Sequence, residues 1–259
     1  MSLLTFNFLV MAKVRSLIKV EGTLDDLTFY RGTDGYLVRT KGGVSKNRIM
    51  NDPAFARTRE NGTEFSSIAG SGKLLRSALG PMLFKAKDSK MTSRLVGVMG
   101  QLKNMDTVSA RGLRNVAEGL NNPLAASVLE GFDFNARATY SSILNASATV
   151  DEVTGKISIG DFNPTRQLRG ADGATHFSLQ AGFLRIDFAT GSFELMQSPE
   201  QVFPISNDVV STSLTPSSAP TLAGTGMHVI LIEFFQEING VQYMLNNGAY
   251  NVLHLLKVS

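Results

Sequence analysis

His228 to Val258 reads HVILIEFFQEINGVQYMLNNGAYNVLHLLKV, and this stretch decides the fold class. Asn239-Gly240 is the dipeptide that favours a two-residue type I′ turn, since both central positions of that turn need φ > 0. It separates a β-branched and aromatic run, Val229 to Phe235, from a second run, Val241 to Leu245. Asn246-Asn247-Gly248 offers another turn before Tyr250 to Val258. The pattern predicts a three-strand antiparallel meander.

Upstream the same grammar repeats. His176 to Phe188 predicts a long strand that turns at Ala189-Thr190-Gly191-Ser192 and returns through Phe193-Glu194-Leu195. Ala148 to Val153, Thr154-Gly155 and Lys156 to Ile159 predict a hairpin. Val202 to Val210 is a weaker strand interrupted by Pro204, and Ser211 to Gly226 (STSLTPSSAPTLAGTG) reads as a polar loop. Strands with turns at this spacing imply an antiparallel β-sandwich.

The first half differs. Val14, Leu17, Ile18 and Val20 lead into two strands, Leu27 to Tyr30 and Tyr36 to Arg39, joined by a five-residue loop, Arg31 to Gly35. Asp52-Pro53 is an N-cap followed by proline at the first helical position, where the missing N–H costs nothing. A helix is expected from Pro53 to about Leu79, weakened by Gly62, Gly70 and Gly72, with a break near Gly70 as an alternative and a stop at Gly80-Pro81. A second opens at Ser89 with Met91, Leu95, Val98, Met99 and Leu102 on one face. A third is expected over Thr107 to Leu120 with Val108, Leu113, Val116 and Leu120 inward, ended by Asn121-Asn122-Pro123. The chain is therefore read as α+β: an extension, residues 1–12; a basic hairpin-plus-helices module, 13–122; and an acidic antiparallel sandwich, 123–259.

The run KVEGTLDDLTFYRGTDGYLVRTKGGVSKNRI followed by DPAFARTREN resembles the opening of a family of uncharacterised proteins from Bacteroidetes-type bacteria. The residues that carry the likeness are Gly22, Leu27, Phe29, Tyr30, Arg39, Thr40, Lys41 and Pro53. ATHFSLQAGFLRIDFATG and IEFFQEINGVQY are similar to later parts of the same family, so the likeness covers most of the chain after Met11. The resemblance implies no transferable activity; phage-like or cell-surface assembly is the context it suggests.

With no Cys, disulfides, thiolate metal sites and a Cys nucleophile are excluded. The net charge of +3 hides a division: residues 1–120 carry 19 Lys and Arg against 10 Asp and Glu, residues 121–259 carry 6 against 12. Such a division suits a polyanion-binding face, or head-to-tail packing between copies and solvated faces. The second reading is the stronger, because the basic residues are dispersed. The opening MSLLTFNFLV is apolar, lacks the charged start of a signal peptide and is too short to span a bilayer. Met11 is an alternative start, and no later window reads as transmembrane.

Candidate chemistry is sparse. Ala69-Gly70-Ser71-Gly72-Lys73 resembles the end of a phosphate-binding loop, but Ser67 and Leu74 occupy positions that need Gly and Ser or Thr. His176, His228 and His254 fall on separate predicted strands. Asp25-Asp26 and Asp151-Glu152 sit near turns and point to opposite faces if extended. No cofactor or metal is expected. The functional candidates are Lys41, Lys46, Arg48, Arg57, Arg59, Lys87, Lys90 and Arg94, with Tyr30 and Tyr36 as stacking residues for nucleic acid. The reading preferred from sequence is a non-enzymatic, self-assembling structural protein, a homo-oligomer. Nucleic-acid or other polyanion binding is possible but not favoured, and a carbohydrate-binding sandwich using Tyr243 and Tyr250 is the third reading.

Overall fold

Residues 12–13, 19–33, 35–40, 43–245 and 248–259 are described by a computed structural model. The opening ten residues, Val14, Leu17, Ile18, Lys41 and the Asn246-Asn247 turn lie outside the described residues. Contacts divide the chain into two units, Met1–Thr58 and Arg59–Ser259.

In the first unit β1 (Ala12–Lys13), β2 (Gly22–Leu24), β3 (Leu27–Gly32) and β4 (Gly35–Thr40) form an antiparallel sheet in the order β1-β4-β3-β2. The β3–β4 ladder runs to Gly32↔Gly35, so two residues close the loop instead of the expected five. Gly35 sits at φ 110, which glycine adopts without a Cβ penalty. Asp25, at φ 49, turns β2 into β3. Register places Leu24, Leu27, Phe29, Tyr36 and Val38 on one face. The other face carries Thr23, Thr28, Tyr30, Leu37 and Arg39, with Arg39 5.3 Å from the centre of the Tyr30 ring. The short helix α1 (Lys46–Asn51) follows, then a 3-10 turn, Pro53–Phe55, capped by the Asp52 carboxylate accepting from Ala54 N–H. The Asp-Pro helix start is thus as the sequence indicates.

The second unit begins in α2 (Ala56–Ala78), which runs through Gly70 unbroken. Gly72 faces Val96, Leu95 and Met99 of α4 (Met91–Asn104), which follows the short α3 (Gly80–Lys85), at distances where an added Cβ would make ordinary contact. The third expected helix survives only as its last turn, α5 (Val116–Gly119). Residues 107–115 instead wrap around Asp106, whose carboxylate accepts from Val108 N–H (3.0 Å), Ser109 N–H (2.8 Å) and Asn115 N–H (3.1 Å). A buried carboxylate that collects backbone donors outcompetes helical bonding, and these bonds outweigh its burial and hold its pKa down at about 2. Val108 and Leu113, expected inward, are 83% and 68% exposed. Two short helices follow, α6 (Ala125–Leu129) and α7 (Tyr140–Ile143).

The strands β5 (Ala148–Val150) and β6 (Ile157–Phe162), a one-turn helix α8 (Pro164–Gln167), β7 (His176–Asp187), β8 (Ser192–Gln197), β9 (Gln201–Pro204), β10 (Val210–Leu214), β11 (Thr225–Ile238), β12 (Val241–Met244) and β13 (Val252–Val258) complete the chain. They build a three-stranded sheet, β10-β6-β5, and a six-stranded sheet, β12-β11-β7-β8 with β9 on β7 and β13 on β11. Leu184, Ile186, Met227, Val229 and Leu231 face the helices and share a core with Leu75, Leu79, Met82, Leu95 and Met99. Phe177, Leu179, Ala181, Ile230, Ile232 and Phe234 face the other way, against Ile157, Ile159, Phe162 and Leu214. With both faces covered, β7 and β11 need apolar residues at successive positions, which is why they read as near-continuous runs. The fold is α+β, with the helices on one face of an antiparallel sandwich.

Two expectations are corrected. β13 pairs with β11, not β12: β12 uses Phe235 to Ile238 of the 14-residue β11, leaving Met227 to Ile232 on the same edge for β13. Ser211 to Leu214 belong to a strand, since Leu214 is buried and paired with Ile157. The contact division falls at Thr58/Arg59, and the helices before Asn121-Asn122-Pro123 share their core with the six-stranded sheet.

His228 is fully buried on β11, stacked on Phe183 at 4.3 Å, with Nδ1 unpartnered among the described residues. Burial, aided by the positive charges of Arg185 and Lys257 against Asp151, pushes its pKa down to about 4. The folded state therefore favours neutral imidazole. Its stability is complete above the unfolded value near 6.5 and falls as pH drops from there towards 4, by about 3 kcal/mol. His228→Phe should flatten the urea midpoint between pH 7 and pH 5, and an unchanged slope would contradict this.

Candidate functional site

The basic candidates fall on separate elements. Lys46 and Arg48 lie on α1, where Arg48 pairs with Asp52 at 3.1 Å and lies over Phe55. Arg57 and Arg59 are in the first turn of α2, and Lys41 is outside the described residues. Lys87 lies over the Phe84 ring, 5.5 Å from its centre. Lys90 precedes α4. Arg94 binds Asp88, donates to the Asp133 carbonyl (2.8 Å) and lies over Phe132, and it lines one hollow with Lys90. Others are spent likewise, Lys103 on Glu64 (2.6 Å), Arg111 on Glu60 (3.2 Å) and Arg114 on Glu64 (3.3 Å). Much of the positive charge that sequence assigns to the helices is thus neutralised where it stands.

The remaining candidates resolve individually. Ala69 to Lys73 is mid-helix in α2. His254 Nδ1 meets the Asp133 carboxylate at 2.7 Å and stacks on Tyr140, while His176 lies 3.5 Å from Glu237. Among the described residues no group of three or more His, Asp or Glu is placed to hold a metal ion. Tyr243, on β12, and Tyr250, before β13, are both exposed. No described helix is long and apolar enough to cross a membrane.

Sequence reasoning missed the Lys85–Glu233 pair. Glu233 sits on the helix side of β11 with a side chain 1% exposed, and its Oε2 accepts from Lys85 Nζ at 2.6 Å. Burial raises its carboxyl above the usual range despite that bond. The signal was present: a lone acid inside an apolar run needs a partner.

The N-terminal sheet exposes apolar side chains. None of the described side chains of residues 19–58 is buried. Leu24 is 66% and Leu27 41% exposed on the face that also holds Phe29, Tyr36 and Val38. A second apolar feature is the β11–β12 hairpin. Beyond Phe235, the last residue paired with β7, β11 has only β12 in its ladder, and Ile238, Val241, Tyr243 and Met244 are exposed there.

No protein-family model, curated protein or solved structure matches this chain.

Proposed function

We propose that this protein is a non-enzymatic structural subunit that assembles with copies of itself through its N-terminal sheet. One observation carries the reading: one face of the four-stranded sheet carries Leu24, Leu27, Phe29, Tyr36 and Val38 beside Arg31 and Thr40, and none of the described side chains of residues 19–58 is buried. A sheet becomes independently stable when an apolar face is packed against something. That cover must be present whenever the chain is folded, and a second copy is the partner available in equal number. The exposed β11–β12 hairpin is a further apolar surface for such contacts. The phage-like or cell-surface setting belongs to the same proposal and rests on the family resemblance alone.

Light scattering on fractions also viewed by negative stain tests it. The full chain should give a mass that is a multiple of 28.0 kDa. Leu27→Asp with Phe29→Asp should shift it to monomer while the second unit keeps its melting transition. A wild-type monomer at tens of micromolar would overturn the proposal. Apolar burial predicts assembly that survives 1 M salt, where the Debye length is about 3 Å; sharp weakening would add pairing between basic and acidic surfaces.

A further inference from the structure

Two segments of the second unit are zipped together beside the small sheet. Arg169 N–H donates to the Ile143 carbonyl at 2.7 Å, and Asn145 N–H to the Gln167 carbonyl at 2.9 Å. The Gln167 amide also donates to the Asn145 carbonyl at 2.8 Å. Between them Leu144 and Leu168 pair and are buried, anchoring the junction to the core. Asn163 caps α8 by accepting from Arg166 N–H at 3.2 Å. Over this braced floor lies a polar hollow of about 180 Å³, lined by Ser141, Ser142, Asn145, Arg166, Gln167 and Arg169.

Its donors divide into spent and unspent. The Ser142 hydroxyl donates to the Thr139 carbonyl, and the Gln167 amide is used in the zip. The Arg166 and Arg169 guanidinium groups, the Ser141 hydroxyl and the Asn145 carboxamide have no partner among the described residues. No carboxylate lines the hollow. This is notable because residues 121–259 hold 12 acids and only 6 cations. Lys257 in the same stretch has taken Glu130 and Glu152. Two unpaired arginines and two neutral donors around one small space match an anion with oxygens on several sides, since guanidinium binds such groups through paired N–H donors.

We propose that this hollow binds a tetrahedral oxyanion, phosphate or sulfate, free or as the monoester group of a larger molecule. The site is independent of the assembly surface. A planar carboxylate would satisfy one guanidinium and leave the second, with Ser141 and Asn145, unused.

The full chain titrated with inorganic phosphate, ionic strength held constant with NaCl, should show saturable binding with Kd on the order of 1 mM by calorimetry or amide chemical shifts. Arg166→Ala and Arg169→Ala should each weaken it about tenfold, through loss of charge-assisted bonds, and the pair should abolish it. Both side chains are exposed, so the variants should melt as the wild type does without ligand, which separates lost binding from lost fold. Glycerol phosphate binding more tightly than phosphate would identify a monoester as the ligand; equal or weaker binding would identify the free ion. Acetate binding as tightly as phosphate, or wild-type affinity in the double variant, would overturn the proposal.

Discussion

Lys85→Met is expected to lower stability by about 2–4 kcal/mol, because it leaves the Glu233 carboxylate on β11 without its counter-charge. The side chain of Glu233 is 1% exposed and that of Lys85 33%, so the loss falls towards the lower part of what a fully enclosed pair shows. Glu200, 3.7 Å from Lys85 Nζ, is the ammonium's second partner and adds to the repulsion once the lysine is gone. In a unit of this size the melting temperature should fall by roughly 5–15 °C. The pH dependence follows from Glu233's raised folded pKa. A carboxyl that folding keeps protonated contributes stability below its unfolded value, about 4.5, and loses it as pH rises through the folded value. The deficit of Lys85→Met should therefore be small below about pH 4.5 and grow as pH rises through the folded value. Lys85→Met with Glu233→Leu should recover most of the loss. If the double variant is as unstable as the single, the pair is not what holds α3 to the sheet.

Gly119→Ala is expected to cost about 3 kcal/mol, at the upper end of overpacking penalties. A Cβ there would sit 2.0 Å from the Leu102 carbonyl oxygen and 2.7 Å from its carbon. Both atoms are backbone at the end of α4, so no side chain can swing aside. α5 would have to lift, taking the buried Val116 with it. Gly70→Ala is the internal comparison. It lies in the middle of α2 with open space around the would-be Cβ, and should stabilise by about 0.5–1 kcal/mol. Denaturant midpoints moving in opposite directions for the two variants are the expected result; movement in the same direction would contradict the packing argument.

These two glycines look alike in the sequence, and only the packed structure separates them. The same holds for the candidate interaction surface. That Leu27 and Phe29 share a face follows from alternation, legible in the chain, but that Tyr36 and Val38 join them was decided by the two-residue loop, since the expected five-residue loop would set Tyr36 opposite Tyr30 and Leu37 opposite Phe29. That this face is left without buried side chains is not legible, because alternation gives a side chain's direction and not what lies against it. The arginines around the oxyanion hollow were invisible for a related reason. Arg166 and Arg169 are ordinary surface residues until the zip with residues 143–145 brings Ser141 and Asn145 beside them.

What the sequence by itself determined was local. Asn239-Gly240 forms its two-residue turn with φ of 53 and 77, Asp52-Pro53 opens its helical turn, and the apolar runs become β7 and β11. Each depends on backbone angles or on a periodicity carried within a few residues. The tertiary structure alone decided the partnerships. β13 lies on β11 because a 14-residue strand has edge to spare beyond β12. Residues 107–115 lose their helix to Asp106, and Glu233 finds a lysine 148 positions away. In each case the deciding energy, a ladder edge filled, a backbone donor satisfied or a buried charge compensated, exists only once distant segments have met.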